Sequence, residues 1–135
     1  MTGPVRVVFA CVHNAGRSQM AAALFNAVAD PSRARAVSAG TDPADAINPT
    51  VVAVMHETQI DLSNARPQRL TPEMAEQAGL LVTMGCGEQC PVVPGVRRQD
   101  WPLDDPHLRP LPEVRIIRDE IRRRVTQLIG AEGWA

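Results

Sequence analysis

The sequence predicts an α/β domain built on a parallel sheet, and three observations predict it. Short apolar runs such as Val5 to Ala10 and Leu80 to Thr83 are nearly continuous, as strands buried on both faces are. Between such runs lie stretches with apolar residues at helical spacing, punctuated by Gly, Pro and Asn-Pro. The length of 135 residues fits one domain with a substantial core, so residues 1–135 are expected to form a single unit. Alternating strands and helices imply right-handed crossovers, a four-stranded parallel sheet and helices on both of its faces.

Val5, Val7, Val8 and Phe9 give the first strand. Met20, Ala21, Leu24, Phe25 and Val28 then recur with helical spacing from near Arg17, ending before Asp30-Pro31. Ala36 to Gly40 reads as the second strand, stopped by Gly40 and the turn Thr41-Asp42-Pro43. Asn48-Pro49 starts a helix carrying Val51, Val52, Met55 and His56, with Asn as cap and Pro in the first turn. Thr71-Pro72 starts a short helix that Gly79 closes before the third strand, Leu80 to Thr83. A loop rich in Gly and Pro follows, residues 84–95, and Arg97 to Trp101 reads as a short fourth strand. Pro102 to Pro112 holds four prolines and is expected not to be regular helix. The last helix carries the stripe Val114, Ile117, Ile121, Val125 and Leu128, with Gly130 expected at its end. A five-stranded flavodoxin-like sheet is the runner-up.

Composition removes several function classes. The net charge of −1 gives no electrostatic bias toward nucleic acid or membrane, so neither is expected as a partner. All fourteen basic residues are Arg, from which no function follows. No signal peptide or membrane span is evident, and three Cys fit a reducing cytoplasm, where paired thiols are more often catalytic than structural. The run Arg122-Arg123-Arg124 reads as a solvated helix face.

The chemistry concentrates in residues 11–18, Cys-Val-His-Asn-Ala-Gly-Arg-Ser. A strand, a turn with one Gly and a helix start form an anion cradle, because backbone N–H groups and the positive helix end point inward. Cys11 opens the cradle as a nucleophile, activated by the helix terminus and a guanidinium. Arg17 holds two oxygens of a tetrahedral oxyanion in its planar fork. Ser18 is placed to donate to the sulfur when it leaves, and Asn14 suits a left-handed position and braces the loop. His13, Ala15 and Gly16 complete the binding loop, with His13 an exposed residue rather than a base. In parallel sheets ligands bind beyond the carboxyl ends of the strands, which brings Cys11, Cys86 and Asp104-Asp105 to one rim. Asp105, before Pro106, is a candidate general acid, and Asp104 its solvated neighbour.

Cys86 and Cys90 stand four apart. A disulfide needs Cβ atoms about 3.8 Å apart, whereas one helical turn separates them by about 5–6 Å. Closing the bond therefore distorts a local helix, which Gly85 and Gly87 make easy. Zinc binding with His13 or His107, and two inert loop thiols, stay open as alternatives.

Cys-x5-Arg-Ser directly after the first strand resembles the phosphate-binding loop of the low-molecular-weight protein tyrosine phosphatase fold, which also carries the thioredoxin-coupled arsenate reductases. The resemblance extends over nearly the whole chain, through Ser38-Ala39-Gly40, Cys90-Pro91 and Trp101 before Asp104-Asp105-Pro106. It implies a three-thiol relay: Cys11 attacks arsenate, Cys86 attacks the adduct to release arsenite, and Cys90 receives the disulfide that thioredoxin reduces. It also implies Asp105 as general acid. The spacing between Cys86 and Cys90 is shorter than in well-known members. Some reductases of this family hold potassium through acidic residues, but Ala22 and Gln68 stand at the corresponding places, so no metal or bound cofactor is expected. The expected partners are the oxyanion and thioredoxin as external reductant, and the expected state is a cytoplasmic monomer. The competing readings are a phosphatase for tyrosine phosphate or other phosphomonoesters, a transferase of arsenate to mycothiol or glutathione, and a non-enzymatic anion-binding or redox-sensing module. Against the first stand His107 and Leu108, where the phosphatase branch places an aromatic pair.

Overall fold

The computed structural model describes residues 3–85 and 90–135. Its elements are β1 (Val5–Cys11), α1 (Arg17–Val28), β2 (Ala34–Gly40), α2 (Pro49–His56), α3 (Pro72–Glu76), β3 (Leu80–Thr83), β4 (Arg97–Asp100) and α4 (Leu111–Glu132). The strands form one parallel sheet in the order β2-β1-β3-β4. The four-stranded reading therefore holds over the five-stranded one. No described helix is long and apolar enough to cross a membrane.

Strand alternation divides the interior in two. Val7, Phe9 and Cys11 pack with α1, α2 and α4 in the larger core, which includes Phe25, Met55 and Ile121. Val8, Ala10 and Leu81 face the other way and pack with Ala78 and Cys90, with Leu70, Val37 and Val96 alongside. Phe9 lies at the centre of the larger core, with ring centroids 6.0 Å from Phe25 and 5.6 Å from Trp101. Phe25 in turn lies 5.9 Å from Trp134, so all four aromatic residues of the chain form one line joining the segment after β4 and the end of α4 to the sheet. The two edge-to-face pairs, Phe9–Phe25 and Phe25–Trp134, add about 0.5–1.5 kcal/mol each beyond burial.

The Asn48 cap read from sequence is present, and Thr71, read as a helix start, caps α3 in the same way. The Asn48 side chain accepts from Thr50 N at 3.0 Å, and Thr71 Oγ1 accepts from Met74 N at 3.2 Å. Two expectations about the last helix need correcting. The helix begins at Leu111, inside the proline-rich stretch, because Pro112 lies in its first turn, where a missing N–H costs nothing. It also runs past Gly130, where an added Cβ would meet open space, and stops at Gly133, whose φ of 74° supplies the left-handed cap.

Helix α4 is fastened to α2 by charge. Glu57, the residue that caps α2, receives Arg115 at 2.7 Å and Arg118 at 2.7 Å, and Arg118 also donates to Val54 O at 2.8 Å. Hydrogen bonds from Arg115, then Arg118, lower the Glu57 carboxyl from its ordinary 4.5 to about 2. A lowered carboxylate contributes stability that is present above its unfolded value and lost as pH falls through the folded one. Glu57→Gln is thus expected to lower the melting temperature at pH 7, with the gap to the parent closing between about pH 4.5 and 2. Thermal melts of both proteins across that range check this.

Candidate active site

The loop after β1 owes its shape to the segment that follows β2. Backbone N–H groups of Thr41, Asp42, Ala44 and Asn48 bond the carbonyls of Cys11, Val12, His13 and Ala15 at 3.1, 2.8, 3.0 and 3.0 Å. These bonds turn the loop's acceptors outward. Among the described residues, none of the backbone N–H groups from His13 to Ser18 takes a backbone acceptor. A row of free donors at the start of α1 is the arrangement that receives an oxyanion. The close fit requires Gly40, where a Cβ would lie 2.5 Å from Val12 O and 3.0 Å from Asn14.

Beneath the loop runs a line of hydrogen bonds whose direction is fixed at its origin. Asn14, fully buried with φ of 51°, accepts at Oδ1 from Gln68 N at 2.9 Å. A backbone N–H only donates, so the amide is oriented: Oδ1 toward Gln68 and Nδ2 toward Ser18. Asn14 Nδ2 donates to Ser18 Oγ at 2.7 Å, and Ser18 Oγ lies 2.9 Å from Cys11 Sγ. With its oxygen accepting from Asn14, the hydroxyl keeps its single proton available to the sulfur once the sulfur is ionised. Cys11 Sγ is therefore held at the floor of the cradle by a hydrogen bond with Ser18 Oγ. Gln19 reinforces the line, donating to Asn14 Oδ1 at 3.0 Å and to Arg66 O at 3.1 Å.

Arg17 is buried, yet its fork reaches the cleft. Nη1 donates to Leu103 O at 3.2 Å, and Nη2 lies 3.6 Å from Asp105 Oδ2. The guanidinium packs so closely on Gly85 that a Cβ there would come within 2.3 Å of Nη1, and Gly85 itself has φ of 96°. Asp105 is half-exposed, and its Oδ1 accepts from His107 N at 3.0 Å, which aims the other oxygen toward Arg17. Pro106 presses on the loop, where a Cβ at Gly16 would meet its ring at 2.6 Å.

The residues expected at the site thus converge in part. Cys11, His13, Ala15, Gly16, Arg17 and Asp105 line one cleft of about 600 Å³, together with Ile47, Pro49 and Leu108. Asn14 and Ser18 lie under the floor and act through Cys11 rather than on a ligand. His13 is exposed, with its Nδ1 3.1 Å from Asp42 O. Asp104 is exposed. Cys86 lies outside the described residues. Cys90 is buried against Val8, Ala10 and Leu81 and is disulfide-bonded, whereas Cys11 is a free thiol. Cys90 packs on the sheet face opposite that of Cys11. Sequence reasoning missed Gln19, Gln68 N–H and the roles of Gly40 and Gly85; only the glycines left a signal, which reads as a strand stop at Gly40 and as slack for a disulfide at Gly85.

A family model described as low molecular weight phosphotyrosine protein phosphatase matches residues 6–132. The chain is 38% identical over 128 residues to the "Putative arsenate reductase" of Halobacterium salinarum, covering 89% of this chain and 87% of that one. It is similar in structure, at a TM-score of 0.82 and 37% identity, to a thioredoxin-dependent arsenate reductase of Corynebacterium glutamicum, covering 97% of this chain and 63% of that one. It is also similar to a low molecular weight protein tyrosine phosphatase of T. tengcongensis, at a TM-score of 0.83 and 25% identity, covering 94% and 99% of the two chains.

Asn14→Asp keeps size and the acceptor toward Gln68 but presents Ser18 with a second acceptor, so the hydroxyl proton turns away from Cys11. The alkylation rate of Cys11 by iodoacetamide is expected to fall by about two- to tenfold, since one hydrogen bond contributes about 0.5–1.5 kcal/mol. Ser18→Ala is expected to give a similar loss, and the double variant no more than either alone.

Proposed function

Since the chain belongs to the low molecular weight phosphotyrosine protein phosphatase family, we propose that it is an arsenate reductase working through a three-thiol relay renewed by thioredoxin. The observation that carries this reading is the pairing of a free nucleophilic Cys11 in an anion cradle with a second, disulfide-bonded thiol, Cys90, elsewhere in the fold. A phosphatase has no use for the second.

In the first step the Cys11 sulfur attacks arsenic, and an arsenate oxygen departs as water with a proton from Asp105. Arg17 and the loop N–H groups hold the remaining oxygens. Cys86 then attacks the Cys11 sulfur. The S–S bond forms, the S–As bond breaks, and its electron pair stays on arsenic, which leaves as arsenite. Ser18 donates to the Cys11 sulfur when Cys90 displaces it by attacking Cys86, giving the Cys86–Cys90 disulfide. A thioredoxin dithiol supplies two electrons and two protons to reopen it. The chain acts as a cytoplasmic monomer in this reading.

A second reading, phosphomonoester hydrolysis by Cys11, Arg17 and Asp105, is favoured by one observation. The cleft of about 600 Å³ is far larger than an oxyanion, and Ala44, Ala46, Ile47 and Pro106 wall its outer part. Arsenate and phosphate share shape and charge, so slow cleavage of an aryl phosphate is compatible with the first reading.

Arsenate-dependent NADPH oxidation, with thioredoxin, glutaredoxin–glutathione and mycothiol systems compared, tests the proposal; turnover is expected with thioredoxin. Cys11→Ser is expected to abolish both arsenite release and aryl phosphate cleavage. Cys86→Ser is expected to lose arsenite release alone, and equal loss of both activities contradicts its role. Cys90→Ser is expected to release about one arsenite per chain and stop, while steady turnover excludes the relay. Asp105→Asn is expected to slow the chemical step by about 10²–10⁴-fold, the span of acid catalysis, with anion affinity little changed.

A further inference from the structure

Two adjacent arginines of β4 point to opposite faces of the sheet, as strand alternation requires. Arg97 pairs with Glu132 of α4 at 2.8 Å. Arg98 stands opposite Leu81 in the register, and Leu81 belongs to the cluster that buries Cys90. From that face Arg98 Nη1 donates to the carbonyl of Pro91, the residue after Cys90, at 3.0 Å. Its Nε donates to Asp100 Oδ1 at 3.2 Å, and the same oxygen accepts from Thr83 Oγ1, which is buried at the end of β3. Thr83 and Asp100 are also partners in the parallel ladder.

The bonds form a line, Pro91 O to Arg98 to Asp100 to Thr83. It joins the chain where it leaves β3 to the chain where it returns behind Cys90. Among the described residues from Pro91 to Gly95, the bond from Arg98 is the one hydrogen bond that reaches the sheet. As a stability device the line is poor, because Asp100 is two-thirds exposed and surface ion pairs contribute little. Its effect falls on the spacing of the two chain ends.

We infer that Arg98 and Asp100 are positioning residues for the Cys90 disulfide, tying the carbonyl that follows Cys90 to the threonine that ends β3. Holding the two ends raises the effective concentration of one thiol near the other and so favours the closed bond. The inference rests on the redox role proposed for Cys90, yet its test does not use arsenate.

The chain is equilibrated in buffers of reduced and oxidised dithiothreitol, and the thiols are trapped by alkylation and counted by mass. The exchange breaks one S–S bond in the protein and forms one in the reagent, moving two electrons and two protons. Arg98→Ala is expected to shift the equilibrium about fivefold toward the dithiol, or about 20 mV where tenfold is about 30 mV. Thr83→Val is expected to move it the same way, and the double variant by less than the sum. Arg122→Ala, on the exposed face of α4, is expected to leave the potential unchanged, and Arg98→Ala to leave Cys11 alkylation unchanged. An unaltered potential in both Arg98→Ala and Thr83→Val overturns the inference, as does an equal shift in Arg122→Ala. Should Arg98→Ala fail to fold, Asp100→Asn carries the same expectation. Failure of the parent to reduce arsenate with thioredoxin overturns the proposed function and leaves this measurement standing.

Discussion

The hydrogen bond from the Gln68 backbone to Asn14 Oδ1 is the constraint on which the site depends. Every later group in the line can give or accept, but a peptide N–H can only give. The direction set there passes through the Asn14 amide to the Ser18 oxygen, which meets Cys11 Sγ at 2.9 Å with its own proton still to give. Cys11 Sγ is thereby held from below, by groups that do not line the cleft. Buried polar lines are costly when incomplete. Here no buried side-chain nitrogen or oxygen is left without a partner among the described residues.

The fold supplies that line by bringing three connections to one end of the sheet. The loop after β1 carries the sulfur, the segment after β2 claims the loop's carbonyls, and the stretch after β4 brings Leu103 O and Asp105 to Arg17. The parallel order β2-β1-β3-β4 puts β1 inside the sheet, so the loop it feeds has neighbours on both sides. The bridge between Gly40 and Arg69 and the bond from Gly40 N to Gln68 O keep Gln68 at its post. Site and scaffold are therefore one hydrogen-bonded body rather than a motif resting on a platform.

Much of this was legible in the sequence. The β-branched run before Cys11, the caps at Asn48 and Thr71 and the stripe of α4 each follow from local rules, and the structure contains them. The cleft residues Cys11, Arg17 and Asp105 were legible because their spacing and flanks carry chemical meaning. The bounds of α4 were misread because Pro and Gly act differently at helix ends than within: Pro112 fits a first turn, and Gly130 sits on an open face. Gln19 and Gln68 stayed hidden for another reason. Gln19 reaches Arg66 O and the Gln68 backbone N–H reaches Asn14 across about fifty residues, and neither a glutamine amide nor a peptide N–H carries a pattern that names such a partner. Gly85 was read as slack for a disulfide, whereas its missing side chain is the space that Arg17 occupies.

The contact of Pro106 on Gly16 has a consequence for how this chain can change over generations. The acid-bearing turn and the anion loop meet at a point where one extra carbon at position 16 would overlap the proline ring at 2.6 Å. A larger side chain at position 16 is admissible only alongside a smaller one at 106.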